Sequence, residues 1–270
     1  MLIPLPERLR EHIGRSAAPA PAKDAATIAV VRDGAEGIEA FLMRRQSSMA
    51  FAAGMYVFPG GGVHDDDFGE VDWIGPTAEE FGEQLGCAPE LAHALVVAAV
   101  RETFEETGVL LAGADDSTVF GDTTVPEMTQ AREDLEEHRL GFAEFLRREG
   151  LVLRADLLGV WAHWITPAFE PRRYDTRFFV AALPEGQRID NVSGEADRSL
   201  WAPLTQVLAR VDAGGAAMMP PTVTTCRELA AYRSGEILEA AAQRTVTPIE
   251  PRIVEVDGEL YLQTESRDHL

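Results

Sequence analysis

The stretch Arg101-Glu102-Thr103-Phe104-Glu105-Glu106-Thr107-Gly108 gathers acidic oxygen at helical spacing. Positions i, i+3 and i+4 are neighbours on a helix surface, so Glu102, Glu105 and Glu106 share one arc of it. Three carboxylates so placed repel one another, and near a helix C-terminus they also meet the negative end of the macrodipole. A divalent cation removes both penalties. Mg2+ or Mn2+ prefers carboxylate oxygen, and charges about 4 Å apart in a partly desolvated cleft interact by about 4 kcal/mol. The same spacing also suits a plain solvated face, where each like-charge pair costs only about 0.2–0.5 kcal/mol. Arg101 stands one turn before Glu105, placed either to brace that carboxylate or to form an ordinary i to i+4 ion pair.

Other stretches offer partners for such a centre. The glycines of Phe58-Pro59-Gly60-Gly61-Gly62 let the backbone approach a metal or phosphate closely, or simply turn tightly. Arg172, Arg173 and Arg177 form the densest basic patch, with guanidinium forks that suit phosphates or surface ion pairs. His64, Asp65, Asp66 and Asp67 read as the solvated start of an insertion rather than a metal site. Trp161, Trp164 and Phe169 could stack on a base, although aromatic residues in strands usually belong to the core. Cys87 and Cys226 have no paired or metal-ligand spacing and read as small apolar residues.

Composition narrows the function classes. Against 24 Lys and Arg stand 45 Asp and Glu, a net charge of −21 that disfavours nucleic acid as a partner. An anionic substrate therefore needs a bound cation or clustered arginines. Lys23 is the only lysine, which leaves Schiff-base chemistry almost no place. No stretch has the apolar length of a membrane span, and the first residues lack the pattern of a signal peptide. A cytoplasmic protein with no membrane partner is expected.

The elements that must position these residues follow from pattern. Residues 1–25 read as an Ala- and Pro-rich lead-in. Residues 26–31 and 38–43 read as strands joined near Asp33-Gly34, and an insertion at about 64–88 carries a short helix. A helix is predicted from Pro89 to the Gly108 cap, with Val97, Val100 and Phe104 opposite the glutamates. A second long helix is predicted at about 126–149. Strands are expected at 157–165, 176–183 and 199–202, helices at 204–212 and 221–243, and a hairpin around Asp257-Gly258. Strands and helices interleave without a regular βαβ rhythm, which predicts an α/β protein with a mixed sheet between helices. Residues 26–202 then form the core domain, with 203–270 as a helical extension and hairpin packed on it. That extension suits either a cap over the cleft or a homodimer surface.

Together these residues carry a resemblance. Arg101-Glu102-x-x-Glu105-Glu106-x-Gly108-Val109 resembles the R-E-U-x-E-E-x-G-U half of the Nudix box, and Pro59-Gly60-Gly61 resembles its glycine start. Thr103 stands where an aliphatic residue is usual, and 39 residues separate Gly61 from Arg101 in place of the short spacer of the compact box. His93 occupies the position of the early box glutamate. An interrupted box resembles the acyl-CoA diphosphatase branch of the family, as do residues 47–61 and 162–183. A CoA-type signature is matched at Arg45, Gly54 and Phe58 to Gly61, and not at Gln46 and Ala50.

The resemblance implies a Nudix-type α/β/α sandwich with an insertion inside the box. It also implies hydrolysis of a small-molecule diphosphate, CoA or acyl-CoA among them, by in-line attack of a water activated by Mg2+ or Mn2+. Glu102, Glu105 and Glu106 are the implied catalytic metal ligands, with Arg101 bracing them and Gly61 beside the metal. A distal carboxylate is expected from Glu195 or Glu170. Arg45, Gly60, Gly62, Arg172, Arg173 and Arg177 are expected to meet substrate. NADH, ADP-ribose and nucleotide sugars are alternative substrates. A non-catalytic nucleotide sensor is the alternative class, opposed by the retained carboxylates, and a metal-dependent isomerase lacks a recognisable catalytic cysteine.

Overall fold

The structure is a computed structural model that describes residues 2–4, 19–46, 52–189 and 196–264. Its first half runs β1 (Leu2–Pro4), β2 (Ala22–Gly34), β3 (Gly37–Arg45), β4 (Tyr56–Val57), β5 (Gly60–Gly62), β6 (Trp73–Ile74), α1 (Ala78–Leu85), α2 (Pro89–Thr107) and β7 (Ala112–Gly113). Then come α3 (Pro126–Glu136), α4 (Phe142–Glu149), β8 (Val152–Arg154), β9 (Gly159–Ile165), β10 (Arg173–Ala182) and β11 (Ala196–Pro203). The remainder is α5 (Leu204–Asp212), α6 (Pro220–Leu229), α7 (Ile237–Ala242), β12 (Pro248–Ile249), β13 (Arg252–Val256) and β14 (Glu259–Gln263).

The main sheet has the order β11-β3-β2-β10-β9-β12, with β4 added on β3 and β5 on β2. It is mixed: β10 runs parallel to β2 and β12 parallel to β9, while the other pairs are antiparallel. Successive strand residues face opposite ways, and this sorts the core into two layers. Ile28 and Val30 join the α2 layer with Leu95, Val96 and Val100, whereas Ala29 and Val31 join Leu204, Cys226, Leu229 and Ile237 of the C-terminal helices. Helices on both faces of a mixed sheet make the α/β/α sandwich.

Helix α2 is the central element. Pro89 occupies its first turn and Gly108 closes it with φ 77°, the left-handed cap that glycine adopts without strain. Val97, Val100 and Phe104 are fully buried opposite the acidic arc. Thr103, in the place of an aliphatic residue, is also buried, and its hydroxyl donates to the Ala99 carbonyl at 2.8 Å, so no polar group is stranded.

Three elements depart most from expectation. Strand β2 begins at Ala22 inside the supposed lead-in, because Ala22 to Val31 pair with Arg173 to Ala182. The single helix expected at 126–149 is two, α3 and α4. Between them His138 takes a left-handed φ of 55°, and the Arg139 and Leu140 N–H groups both turn back onto the Asp134 carbonyl. Both helices still bury their stripe, and Phe145 stacks on Phe104 with ring centroids 5.2 Å apart. The helix expected at 221–243 is likewise divided, ending at Leu229 and resuming as α7 after a short 3-10 turn at Ser234–Glu236.

Candidate active site

The acidic arc of α2 faces a cleft of about 760 Å3, within the usual size of small-molecule sites. Glu102, Glu105 and Glu106 line it together with Gly60, Gly61 and Gly62. Strand β5 brings the glycines there by pairing with Ala25 to Thr27 of β2. The close approach requires glycine at two positions. A Cβ on Gly61 would lie 2.4 Å from Glu102 Oε1, and one on Gly60, whose φ is 151°, would lie 2.4 Å from the Ala26 carbonyl. The Gly60 N–H donates to Glu106 Oε2 at 2.7 Å, fixing one carboxylate on the strand.

Arg101 is the hub behind the carboxylates. Its Nη1 donates to Glu102 Oε1 at 2.9 Å and to Glu105 Oε2 at 3.2 Å, and its Nη2 donates to the Gly62 carbonyl at 3.2 Å. The opposite edge of the guanidinium is held by Asp67, Nε to Oδ1 at 2.8 Å and Nη2 to Oδ2 at 2.9 Å. Asp67 is 1% exposed. The acidic run 65–67, expected to be solvated, therefore sends its last member into the interior. The spacing His64-x-x-Asp67 carried a signal for this, since Asp67 also accepts from the His64 N–H at 2.8 Å as a residue at the start of a helical turn does.

Burial dominates the electrostatics. It raises the Glu102 carboxyl above its ordinary value, offset by Arg101 and more weakly by His64. It pushes the Glu105 carboxyl up to about 7 despite Arg101, with Glu102 adding to the rise. Burial also opposes the charge on Arg101, but the Asp67, Glu102 and Glu105 carboxylates outweigh it and hold the guanidinium protonated. Among the described residues, no three His, Cys, Asp or Glu side chains converge on a common point for a metal ion. The carboxylates are turned to Arg101 and the Gly60 N–H instead. The donor set nevertheless fits a hard divalent cation: three carboxylates on one face of a cleft, two of them raised by burial, carry charge that a cation would relieve.

The remaining sequence-nominated residues fall inside and outside this cleft. Arg45 and Glu170 line it, and Glu195 lies outside the described residues. Arg173 donates to Glu250 Oε1 at 2.6 Å and to two carbonyls, and buried Arg177 pairs with Asp24 at 3.0 Å and Asp175 at 2.7 Å. Arg172 is exposed, and none of the three is among the cleft-lining residues. His93 binds the Gly69 carbonyl at 2.8 Å and stacks on Trp73, so it anchors the insertion to α2. Trp164 lines the cleft, whereas Trp161 is fully buried and donates to Glu228. Cys87 and Cys226 do not line it, and burial raises both thiols, Cys226 to about 12.

Residues that follow β11 supply an apolar wall of the cleft. Met218, Met219, Pro220, Pro221, Pro251 and Leu262 line the cleft with Met55, Trp164 and Phe178. The Tyr56 N–H donates to the Ala217 carbonyl at 2.9 Å and ties this wall to β4. Among the described residues, no helix is long and apolar enough to cross a membrane.

The sequence matches the family model of the NUDT19 Nudix domain over residues 77–229, more than half of the chain. It is similar to the acyl-coenzyme A diphosphatase NUDT19 of Xenopus laevis, 25% identical over 207 residues that cover 63% of this chain and 54% of that protein. It is also similar to the putative nudix hydrolase 7 of Caenorhabditis elegans, 28% identical over 221 residues that cover 81% of this chain and 64% of that protein. The matches thus span about half to two thirds of the length of these relatives. A crystal structure of a NUDIX hydrolase from Alicyclobacillus acidocaldarius superposes with a TM-score of 0.69 at 28% identity, covering 85% of this chain and 99% of that one.

Proposed function

This chain belongs to the Nudix hydrolase family, and from that premise we propose that it cleaves the diphosphate linkage of a nucleoside diphosphate derivative, CoA or an acyl-CoA being the first candidates. One observation carries the proposal: Glu102, Glu105 and Glu106 face a single cleft while Arg101, Asp67 and the Gly60 N–H fix them from behind. A charge cluster kept in the family's box and aimed into a cavity suits catalysis better than passive recognition. The similarity to acyl-coenzyme A diphosphatases supports the substrate class.

Glu102, Glu105, Glu106 and the Gly61 carbonyl would hold the divalent cation, Mg2+ or Mn2+, which when bound polarises a phosphoryl oxygen and acidifies a water. The side chains do the rest. Glu102, less completely engaged than Asp67, is placed to orient the attacking water and accept its proton. Arg101 touches no substrate; it positions Glu102 and Glu105. The distal carboxylate is Glu195 or the cleft-lining Glu170, and Arg45 meets a substrate phosphate. Water attacks phosphorus in line, the P–O–P bridge breaks on the far side, and two phosphate-bearing products leave. The apolar wall of Met218, Met219, Pro220 and Trp164 accommodates the organic remainder.

The test is a panel of CoA, an acyl-CoA, NADH, ADP-ribose and dinucleoside polyphosphates incubated with the protein and Mg2+, with products resolved by phosphorus NMR. Cleavage of CoA or acyl-CoA at the diphosphate is expected. If no diphosphate in the panel is cleaved, the nucleotide-sensor class replaces this one.

A further inference from the structure

We propose that His64 and His138 form an imidazole clamp that takes a phosphate of the substrate at the mouth of the carboxylate cleft. The proposal rests on the hydrolase reading only in treating that cleft as the substrate site. Its starting point is a charge problem. A diphosphate is anionic, yet Glu102, Glu105, Glu106, Glu136 and Glu170 all line the cavity. Arg101 is turned inward by Asp67, and Arg173 and Arg177 are bound to carboxylates elsewhere. Among the described residues that line the cleft, only Arg45, His64 and His138 can carry a positive charge.

The two histidines come from different segments and meet there. His64 opens the 3-10 turn of the insertion, and His138 lies in the turn between α3 and α4. Their rings pack edge to face, with centroids 5.4 Å apart and planes at 70°. Each imidazole keeps an N–H donor even when neutral, so the pair offers a phosphate two donors without depending on protonation. Both residues are exposed on the rim, which lets a ligand reach them without opening the fold.

The backbone fixes where each side chain starts. The His64 N–H donates to Asp67 Oδ2, the same carboxylate that grips Arg101. The imidazole is thereby tied through one side chain to the helix that bears the glutamates. His138 holds a left-handed φ of 55°, which glycine or asparagine adopts with less strain. Residues kept in that region cluster at functional sites. Two imidazole donors beside the acidic cleft give an anionic group the hydrogen bonds that the carboxylates there cannot donate.

The test uses α,β-methylene-ADP, whose diphosphate cannot be hydrolysed between the bridged phosphorus atoms, with Mg2+ and the full chain. Calorimetry compares the wild type with His64→Ala, His138→Gly and the double variant, none of which keeps a side-chain donor. Gly keeps the left-handed turn, so a folding defect does not confound the result. Each single variant is expected to weaken binding about tenfold, as loss of a hydrogen bond to a charged group does, with Mg2+ affinity unchanged. Nitrogen NMR supplies a readout that a structural role would not move: both ring resonances should shift when the analogue is added. Wild-type affinity in the double variant, unshifted rings, or no binding by the wild type would each overturn the clamp. Analogue binding that depends on the imidazoles without hydrolysis of any panel member would remove the hydrolase reading and leave the clamp. Hydrolysis with binding independent of them would do the reverse.

Discussion

Asp67 grips Arg101 with both carboxylate oxygens, at 2.8 and 2.9 Å, although 34 positions separate the two residues in the chain. The segment between Gly61 and Arg101 thus reaches the candidate site: its Asp67 fixes one edge of the Arg101 guanidinium while Glu102 and Glu105 take the other. Asp67→Asn leaves the Nε edge of the buried guanidinium against a neutral amide, with Glu102 and Glu105 still on Nη1. Breaking a buried pair costs about 3–5 kcal/mol, and Arg101, which braces Glu105, loses its anchor. Thermal unfolding should show a clear drop in Tm, and turnover should fall about tenfold or more when the variant is assayed below that temperature. A variant with wild-type Tm and turnover would mean that the pair orients nothing.

The two glycines facing the helix should respond differently to the same substitution. On Gly61 the atoms nearest an added methyl are the carboxylate end of Glu102, the far end of a flexible side chain. Gly61→Ala should keep the fold and lose activity, with metal affinity reduced. On Gly60 the methyl meets the Ala26 carbonyl and sits on a backbone at φ 151°, so Gly60→Ala should lose stability, by about 1–3 kcal/mol for the backbone conformation alone. Denaturant midpoints alongside activity separate the two cases. Equal midpoints for the two variants would contradict the distinction.

The raised Glu105 carboxyl sets a pH dependence. Burial, opposed by Arg101, moves it from the ordinary 4.5 to about 7 in the folded protein. The folded state therefore holds a proton that the unfolded chain releases. The resulting stability is fully present below about 4.5 and is lost as pH rises through about 7. Metal-free protein should accordingly lose Tm across that window, and Glu105→Gln, which cannot ionise, should flatten the slope. Saturating Mg2+, which binds the ionised form, should raise Tm most above pH 7. A metal-free Tm that climbs between pH 5 and 7, unchanged by Glu105→Gln, would refute the assignment.

Glu105→Gln should also lower turnover by about a hundredfold or more at saturating Mg2+, because it removes charge from the metal set while preserving shape. Steady-state hydrolysis of whichever panel compound is cleaved gives the answer. Undiminished turnover would exclude Glu105 as a ligand.

Much of this was legible in the chain because local signals agreed with the tertiary result. Pro89, Gly108 and the 3.6-residue period marked α2 and its acidic face, and Asp257-Gly258 marked the β13–β14 hairpin. The break at His138 was not, since no Gly or Pro sits at the left-handed residue and the apolar stripe continues across it. Asp67 was hidden for a different reason. One aspartate in a run of three looks solvated until its partner, far along the chain, is known. The arginines 173 and 177 pose the same difficulty: Asp175 is near Arg177 on one strand, but Asp24 and Glu250 come from distant parts of the chain that no local pattern brings together.

The most direct measurement is the anomalous scattering of Mn2+ in crystals soaked with the ion and α,β-methylene-ADP. A peak is expected within about 2.0–2.3 Å of carboxylate oxygens from Glu105 and Glu106, with the bridged phosphates beside it. A fully bound analogue with no peak among Glu102, Glu105 and Glu106, or a peak elsewhere in the cleft, would contradict the assignment of that acidic face to metal-assisted hydrolysis.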